Sequence, residues 1–322
     1  MAATNRTGGL RRAALALRRK LHADLHLQAD RIQGSLNDLL DLHRRDVAEL
    51  RARLDRIETD AARSAAIGRH SYDEEPENRR RLQQLRRSEE YGRAFTEAEP
   101  LVTFIVPTYT SFETLRDVAL PSILNQSYTN LEVIVSGDCA PAETATALAE
   151  IDDPRVVYIN RTIRGPYPED PAKRWFGIGG PPYNDALAIA RGRWIAALGD
   201  DDAVRPHHTR ELLAAAQENG WEHCYGRQQV NLPSGETMVL GEFPPREGQW
   251  GTQAALYHSG LRFIESELAD AIYDEPSDWS KCRRMIRAGV RTGMIETVVV
   301  DKHEHRRASI AEWRGAGPPS VD

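Results

Sequence analysis

The sequence predicts an α/β protein, a mostly parallel sheet flanked by helices, with a long N-terminal helix ahead of it. Two patterns carry this reading. After Pro100, short β-branched runs (LVTFIVP, LEVIVS, RVVYIN and RWIAAL) alternate with the helical segments SFETLRDVALPSILNQ, PAETATALAE and YNDALAIA. Apolar runs that are continuous and short belong to strands buried on both faces, as in a parallel sheet covered by helices. Before Pro100, Leu36, Leu40, Val47, Leu50, Leu54 and Ile57 follow alternating steps of three and four, with His43 in one seam position. An earlier set, Leu10, Ala14, Leu17 and Leu21, keeps this spacing and slips before Leu25 and Ile32. Such a narrow stripe on a charged helix predicts a coiled coil and a homo-oligomer formed through it; a helix folded back on its own chain is the other reading.

The chain then divides into a helical segment 1–70, a helical linker 71–99 set off by the polar stretch His70 to Asn78, two halves of an α/β body at 100–212 and 213–305, and a tail 306–322. Its 322 residues suffice for one large body with an appendage. A net charge of −6 argues against nucleic acid as a partner, because neutralising phosphates takes concentrated Lys and Arg. No apolar run reaches the roughly 18–20 residues of a membrane span. The basic, alanine-rich start is interrupted by Arg18, Arg19 and Lys20 without a cleavage pattern, so no secretory signal is expected. Cys139, Cys224 and Cys282 lie far apart, which disfavours a disulfide framework or structural zinc; a cytoplasmic protein is expected.

In open sheets of this kind ligands bind at the carboxyl ends of the strands. Thr108 and Tyr109 follow the first strand, Asp138 the second, Arg161 and Arg164 the third, and Gly199-Asp200-Asp201-Asp202 the fourth. Three adjacent carboxylates repel unless they are solvated or share a cation, and oxygen ligands suit Mg2+ or Mn2+. A solvated helix N-terminus is the competing reading of the triplet.

The stretch Leu101 to Leu212 resembles the nucleotide-binding half of family 2 glycosyltransferases, a GT-A, Rossmann-like fold. VTFIVPTYT, LPSILNQSYTNLEVIVSGD and NDALAIARGRWIAALGDDDAVRP match that family's strand-end, VVDDGS-like and acidic D-x-D motifs in order and spacing. The resemblance implies an inverting, metal-dependent transfer of a sugar from a nucleotide-diphosphate donor to an unknown acceptor hydroxyl. It places Pro107, Thr108 and Tyr109 around the donor base and ribose, and gives Asp138 a hydrogen bond to the base. A single carboxylate there suits the imide of UDP or dTDP, although guanine also offers an N–H. Arg161 or Arg164 would stack on the base or reach a phosphate. Asn184 would serve the donor or cap a helix. Asp200 would meet the ribose, and Asp201 with Asp202 would hold Mn2+ or Mg2+. Gly199 and Gly137 stand where the family pattern has aspartates.

In the second half, EPSDWSKCRRMIRAGVRTGMIETVVVD resembles the family's acidic element opening a helix. It makes Asp278 the candidate catalytic base, with Asp274 or Glu275 next, against a simple first-turn acid. His303 and His305 follow the last strand, where some relatives carry a histidine near the metal. RGPYPEDPAKRWFGIGGPPYN reads as a binding loop, and Trp250, Gln253, Tyr257 and His258 as an acceptor platform or as core. The two departures from the family pattern leave a second function open, that of a coiled-coil scaffold carrying an inactive transferase domain.

Overall fold

The structure, a computed structural model, describes residues 5–268 and 275–304, excluding the side chains of 5–17, 22–24, 29–30, 69–73 and 172. The chain falls into two units, 1–65 and 66–322. The first consists of the helix α1, which spans Asn5–Arg86 and so continues into the second unit. The polar stretch from His70 to Asn78 does not interrupt it, and Pro76 lies within it. A proline forfeits one helical hydrogen bond, and tertiary contacts on either side of it hold the helix. Asn78 and Leu82 are buried, and Arg284 pairs with Glu74.

The expected linker is therefore part of the body from residue 74 onward. It ends in a short helix, α2 (Glu89–Thr96), capped by the Ser88 hydroxyl, which accepts from Tyr91 N–H. Ala94 is fully buried and its carbonyl accepts from the Trp194 indole N–H over 3.1 Å.

Among the described residues nine strands form one sheet: β1 (Val102–Thr108), β2 (Leu131–Gly137), β3 (Val156–Asn160), β4 (Trp194–Ala197), β5 (Ala203–Val204), β6 (His223–Asn231), β7 (Thr237–Leu240), β8 (Ala255–His258) and β9 (Thr292–His303). Their order is β3-β2-β1-β4-β8-β6-β9-β5, with β7 paired to β6. The four strands expected from the sequence are all mutually parallel, whereas β8 runs antiparallel to both β4 and β6. Alternation decides the two cores. Phe104, Val106, Val133 and Val135 face one side with Leu120, Ile123 and Leu212, while Ile105, Ile134 and Ile195 face the other with Leu187 and Leu82.

The helices are α3, built of Phe112–Thr114, a π-helical turn Leu115–Ala119 and Leu120–Leu124, then α4 (Ala142–Ala149), α5 (Pro171–Gly177), α6 (Gly180–Ile189), α7 (His208–Asn219) and α8 (Ser277–Ala288). Among the described residues no helix is long and apolar enough to cross a membrane.

Glu222, just before β6, fastens the helical collar to the sheet. Its carboxylate has no exposed surface and accepts from Arg86 Nε and Nη2 at 2.7 Å, Tyr91 Oη at 2.7 Å and Arg291 N–H at 2.8 Å. Burial pushes this carboxyl up, but Arg86, the Arg291 N–H and the Tyr91 hydroxyl together hold it below its ordinary range. Because the folded acid keeps its charge more readily than the unfolded one, its contribution is full above the ordinary carboxylate range and fades as the pH falls through the lowered one. Glu222→Gln should therefore cost about 2–3 kcal/mol near neutral pH, since it leaves a partly buried guanidinium unpaired. Chemical denaturation should show the gap to the native chain closing at acidic pH.

Candidate active site

The sequence places acids at strand ends, and the fold brings several of these ends together. β1 and β4 are adjacent and parallel, so their carboxyl ends coincide. Thr108 at the end of β1 donates its hydroxyl to Asp200 Oδ2 over 2.7 Å. Two residues on, Asp202 is buried and both its oxygens are engaged. His303 N–H donates to Oδ1 at 2.9 Å and the Gln253 amide to Oδ2 at 3.0 Å. The His303 ring closes the knot, with Nδ1 3.1 Å from the Asp201 carbonyl. If Nδ1 carries the proton donated there, Nε2 is left with the lone pair that a metal ligand needs.

Burial pushes the Asp200 carboxyl up to about 6, against the Thr108 hydroxyl bond and with help from the neighbouring Asp201 charge. Burial likewise raises Asp202, with Lys302 opposing. The same Lys302 opposes a rise in Asp278, whose carboxyl is also lifted mainly by burial. Lys302, on β9, is thus within electrostatic reach of both Asp202 and Asp278. Asp278 Oδ1 accepts the Trp279 N–H at 2.7 Å, and the N-cap position itself belongs to Pro276. Glu275 is buried and bound through both oxygens to Arg283, at 2.7 and 2.8 Å, so its carboxylate is committed. Asp274 and His305 lie outside the described residues.

At the other end of the site, the Asp138 N–H donates to Thr108 O and its Oδ1 accepts the Gly165 N–H, both at 2.9 Å. Arg161 and Arg164 flank this buried acid at 3.7 and 3.8 Å. The Arg164 guanidinium lies 3.9 Å from the centre of the Tyr109 ring, a cation–π contact beside the half-buried Pro107. The expected binding loop is partly ordered structure: it contains α5 and buries Phe176.

Asn184 lies inside α6 and not at its end. Its side-chain amide donates to Ser266 O at 2.8 Å and accepts Ser266 N–H at 3.0 Å, pinning that segment. Among the aromatic candidates, His258 stacks on Tyr91, and Tyr257 shares a buried cluster with Tyr183 and Lys281. Trp250 packs with Tyr225 and Cys282. Only Gln253 reaches the acids.

The two glycines that depart from the family pattern have local reasons. A Cβ on Gly137 would lie 2.4 Å from Asn160 Oδ1. The Asn160 amide occupies that space and bridges Ala140 N–H and O, each at 2.9 Å. A Cβ on Gly199 would meet Asp201 Oδ1 at 3.0 Å and Asp202 Oδ2 at 3.2 Å, so both carboxylates crowd the position.

Among the described residues no group of three or more acids, histidines or cysteines is placed to hold a metal ion by itself. The donor set nevertheless fits a hard cation of the kind that takes one or two carboxylates and completes its shell with substrate phosphates and water. Asp201 and Asp202 converge on Gly199, and the His303 ring is held beside them.

The chain matches the family model Glycosyl transferase family 2 over residues 103–167. It is 37% identical to the succinoglycan biosynthesis protein ExoO of Rhizobium meliloti over 123 residues, 38% of this chain and 31% of that one. It is 30% identical to a GalNAc(5)-diNAcBac-PP-undecaprenol beta-1,3-glucosyltransferase of Campylobacter jejuni over 129 residues, 39% of this chain and 38% of that one. The chain thus spans about a third of these relatives' length. The crystal structure of S. aureus TarS 1-349 in complex with UDP superposes with a TM-score of 0.51 at 16% identity, covering 63% of this chain and 60% of that one, and shares the fold.

Asp200 offers a test of the site's electrostatics. Its folded carboxyl, near 6 against an ordinary 3.8, binds a proton more tightly than the unfolded one. The charged acid is therefore a cost, absent below the ordinary value and complete above the raised one. Asp200→Asn, which still accepts from Thr108, should stabilise the protein by up to about 3 kcal/mol at pH 7. Melting curves should show that gain fading between about pH 6 and pH 4.

Proposed function

We propose that the chain transfers a sugar from a nucleoside-diphosphate donor to an acceptor hydroxyl, with inversion at the anomeric carbon. The observation that carries this is the gathering of Asp200, Asp201, Asp202 and His303 at one strand edge, with Lys302 in electrostatic reach of both Asp202 and Asp278.

In this reading Asp138, Tyr109, Arg164 and Pro107 receive the base, with UDP or dTDP favoured because one carboxylate matches one imide N–H. Thr108 and Asp200 meet the ribose. Asp201, with Asp202 and His303 behind it, holds Mn2+ or Mg2+, which when bound neutralises charge on the diphosphate. Asp278 takes the proton from the acceptor hydroxyl as that oxygen attacks the anomeric carbon and the bond to the diphosphate breaks. Burial suits Asp278 to this role, because a carboxyl lifted above its ordinary range is a stronger base. Asn184 acts only by fixing the Ser266 segment.

The inactive-scaffold reading rested on Gly137 and Gly199. Here the first position is filled by the Asn160 amide and the second is faced by two carboxylates, which supports an active site that is rearranged rather than lost.

Two substitutions separate the roles. Asp278→Asn should lower kcat by about 10²–10⁴-fold with donor affinity unchanged. In the native enzyme the rate should fall as the pH drops below the raised range of Asp278. Asp201→Asn should instead abolish the metal-dependent part of nucleoside-diphosphate binding, measured by calorimetry with and without Mn2+. Undiminished turnover in Asp278→Asn would end the catalytic assignment.

A further inference from the structure

The part of α1 ahead of residue 65 carries a second kind of information, independent of the catalytic reading. Leu36, Leu40, Leu50, Leu54 and Ile57 expose 48, 45, 64, 53 and 57% of their surface. Five large apolar side chains on one stripe of a helix are not left to water without reason. Single-helix stability does not supply one, because helices in proteins draw most of theirs from packing.

Assigning the stripe to a heptad puts Leu40, Val47 and Leu54 at a positions and Leu36, His43, Leu50 and Ile57 at d positions. The flanking positions then follow without choice. Arg44, Arg51 and Glu58 fall at e, and Asp46, Arg53 and Asp60 at g. In a parallel, in-register pair a g residue meets the e residue five positions on in the other chain. Asp46 then faces Arg51, and Arg53 faces Glu58; symmetry repeats each pair, and none is repulsive. Pairing the same heptads antiparallel sets Arg44 against Arg51 twice along the e edge, which offsets the two Asp46–Arg53 attractions along the g edge. His43 adds register, since staggering the chains would set an imidazole against leucine.

We infer that residues 36–60 form a parallel, in-register coiled coil with a second copy of this chain. A parallel pair brings residue 65 of both chains to the same end, so two catalytic domains are delivered together.

The test uses the full chain. Sedimentation should give a dimer. Ile57→Cys should form an interchain disulfide under mild oxidation, whereas Arg56→Cys, at an outward c position, and the native cysteines should not. In an antiparallel pair the two residues 57 would lie about 25 Å apart at 1.5 Å per residue. Linkage found only when Ile57→Cys and Leu40→Cys chains are mixed would overturn the proposal. Arg51→Asp should raise the dimer Kd by about tenfold, as two attractive pairs become repulsive. Adding Asp46→Arg should restore it, and failure of that rescue would also overturn the assignment. A chain that sediments as a monomer but binds anionic phospholipid vesicles through the stripe would replace the partner with a lipid surface.

Discussion

Three consecutive carboxylates at the end of β4 are the constraint around which the site is organised. Like charges at such spacing cannot all be buried without separate partners. The fold gives Asp200 the hydroxyl at the end of β1 and Asp202 the His303 N–H and the Gln253 amide, and it sets the His303 ring against the Asp201 backbone carbonyl. Strands β1, β4 and β9 and the segment before β8 are therefore tied together at the place where a charged ligand would bind. The same arrangement lifts two of the acids above their ordinary range, leaving the edge ready to accept positive charge.

Much of this was legible in the sequence, because it depends on short-range pattern. The first four strands are runs of β-branched residues, and the acids stand directly after them. Asp278 could be placed in the first turn of a helix from its own neighbours. Partners distant in the chain could not be read. Nothing local in Gly137 announces that Asn160 fills its side-chain space, and Gln253 gives no sign that it serves Asp202. Lys302 was passed over although it adjoins His303, because one lysine near a strand end carries no pattern.

Aromatic residues were equally ambiguous. Tyr257 and His258 look available for a sugar, yet both lie in the core, one beside the Lys281 amine and the other between Tyr91 and Trp194. The region before Pro100 misled for a different reason. Polarity argues for a break after residue 70, and local propensity is overridden by Leu82 in the core and by Arg284 on Glu74.

The Glu222 hub also bears on where the catalytic body starts. Residues matching the family model begin at 103, and a fragment cut there would keep every candidate catalytic group. It would also discard Arg86, Tyr91, Ala94 and Leu82, stranding a fully buried carboxylate and uncovering Trp194 and the Leu261 side of the sheet. The smallest autonomous body is accordingly longer than its recognisable motif, and its N-terminal edge falls near residue 66, inside a helix rather than in a loop.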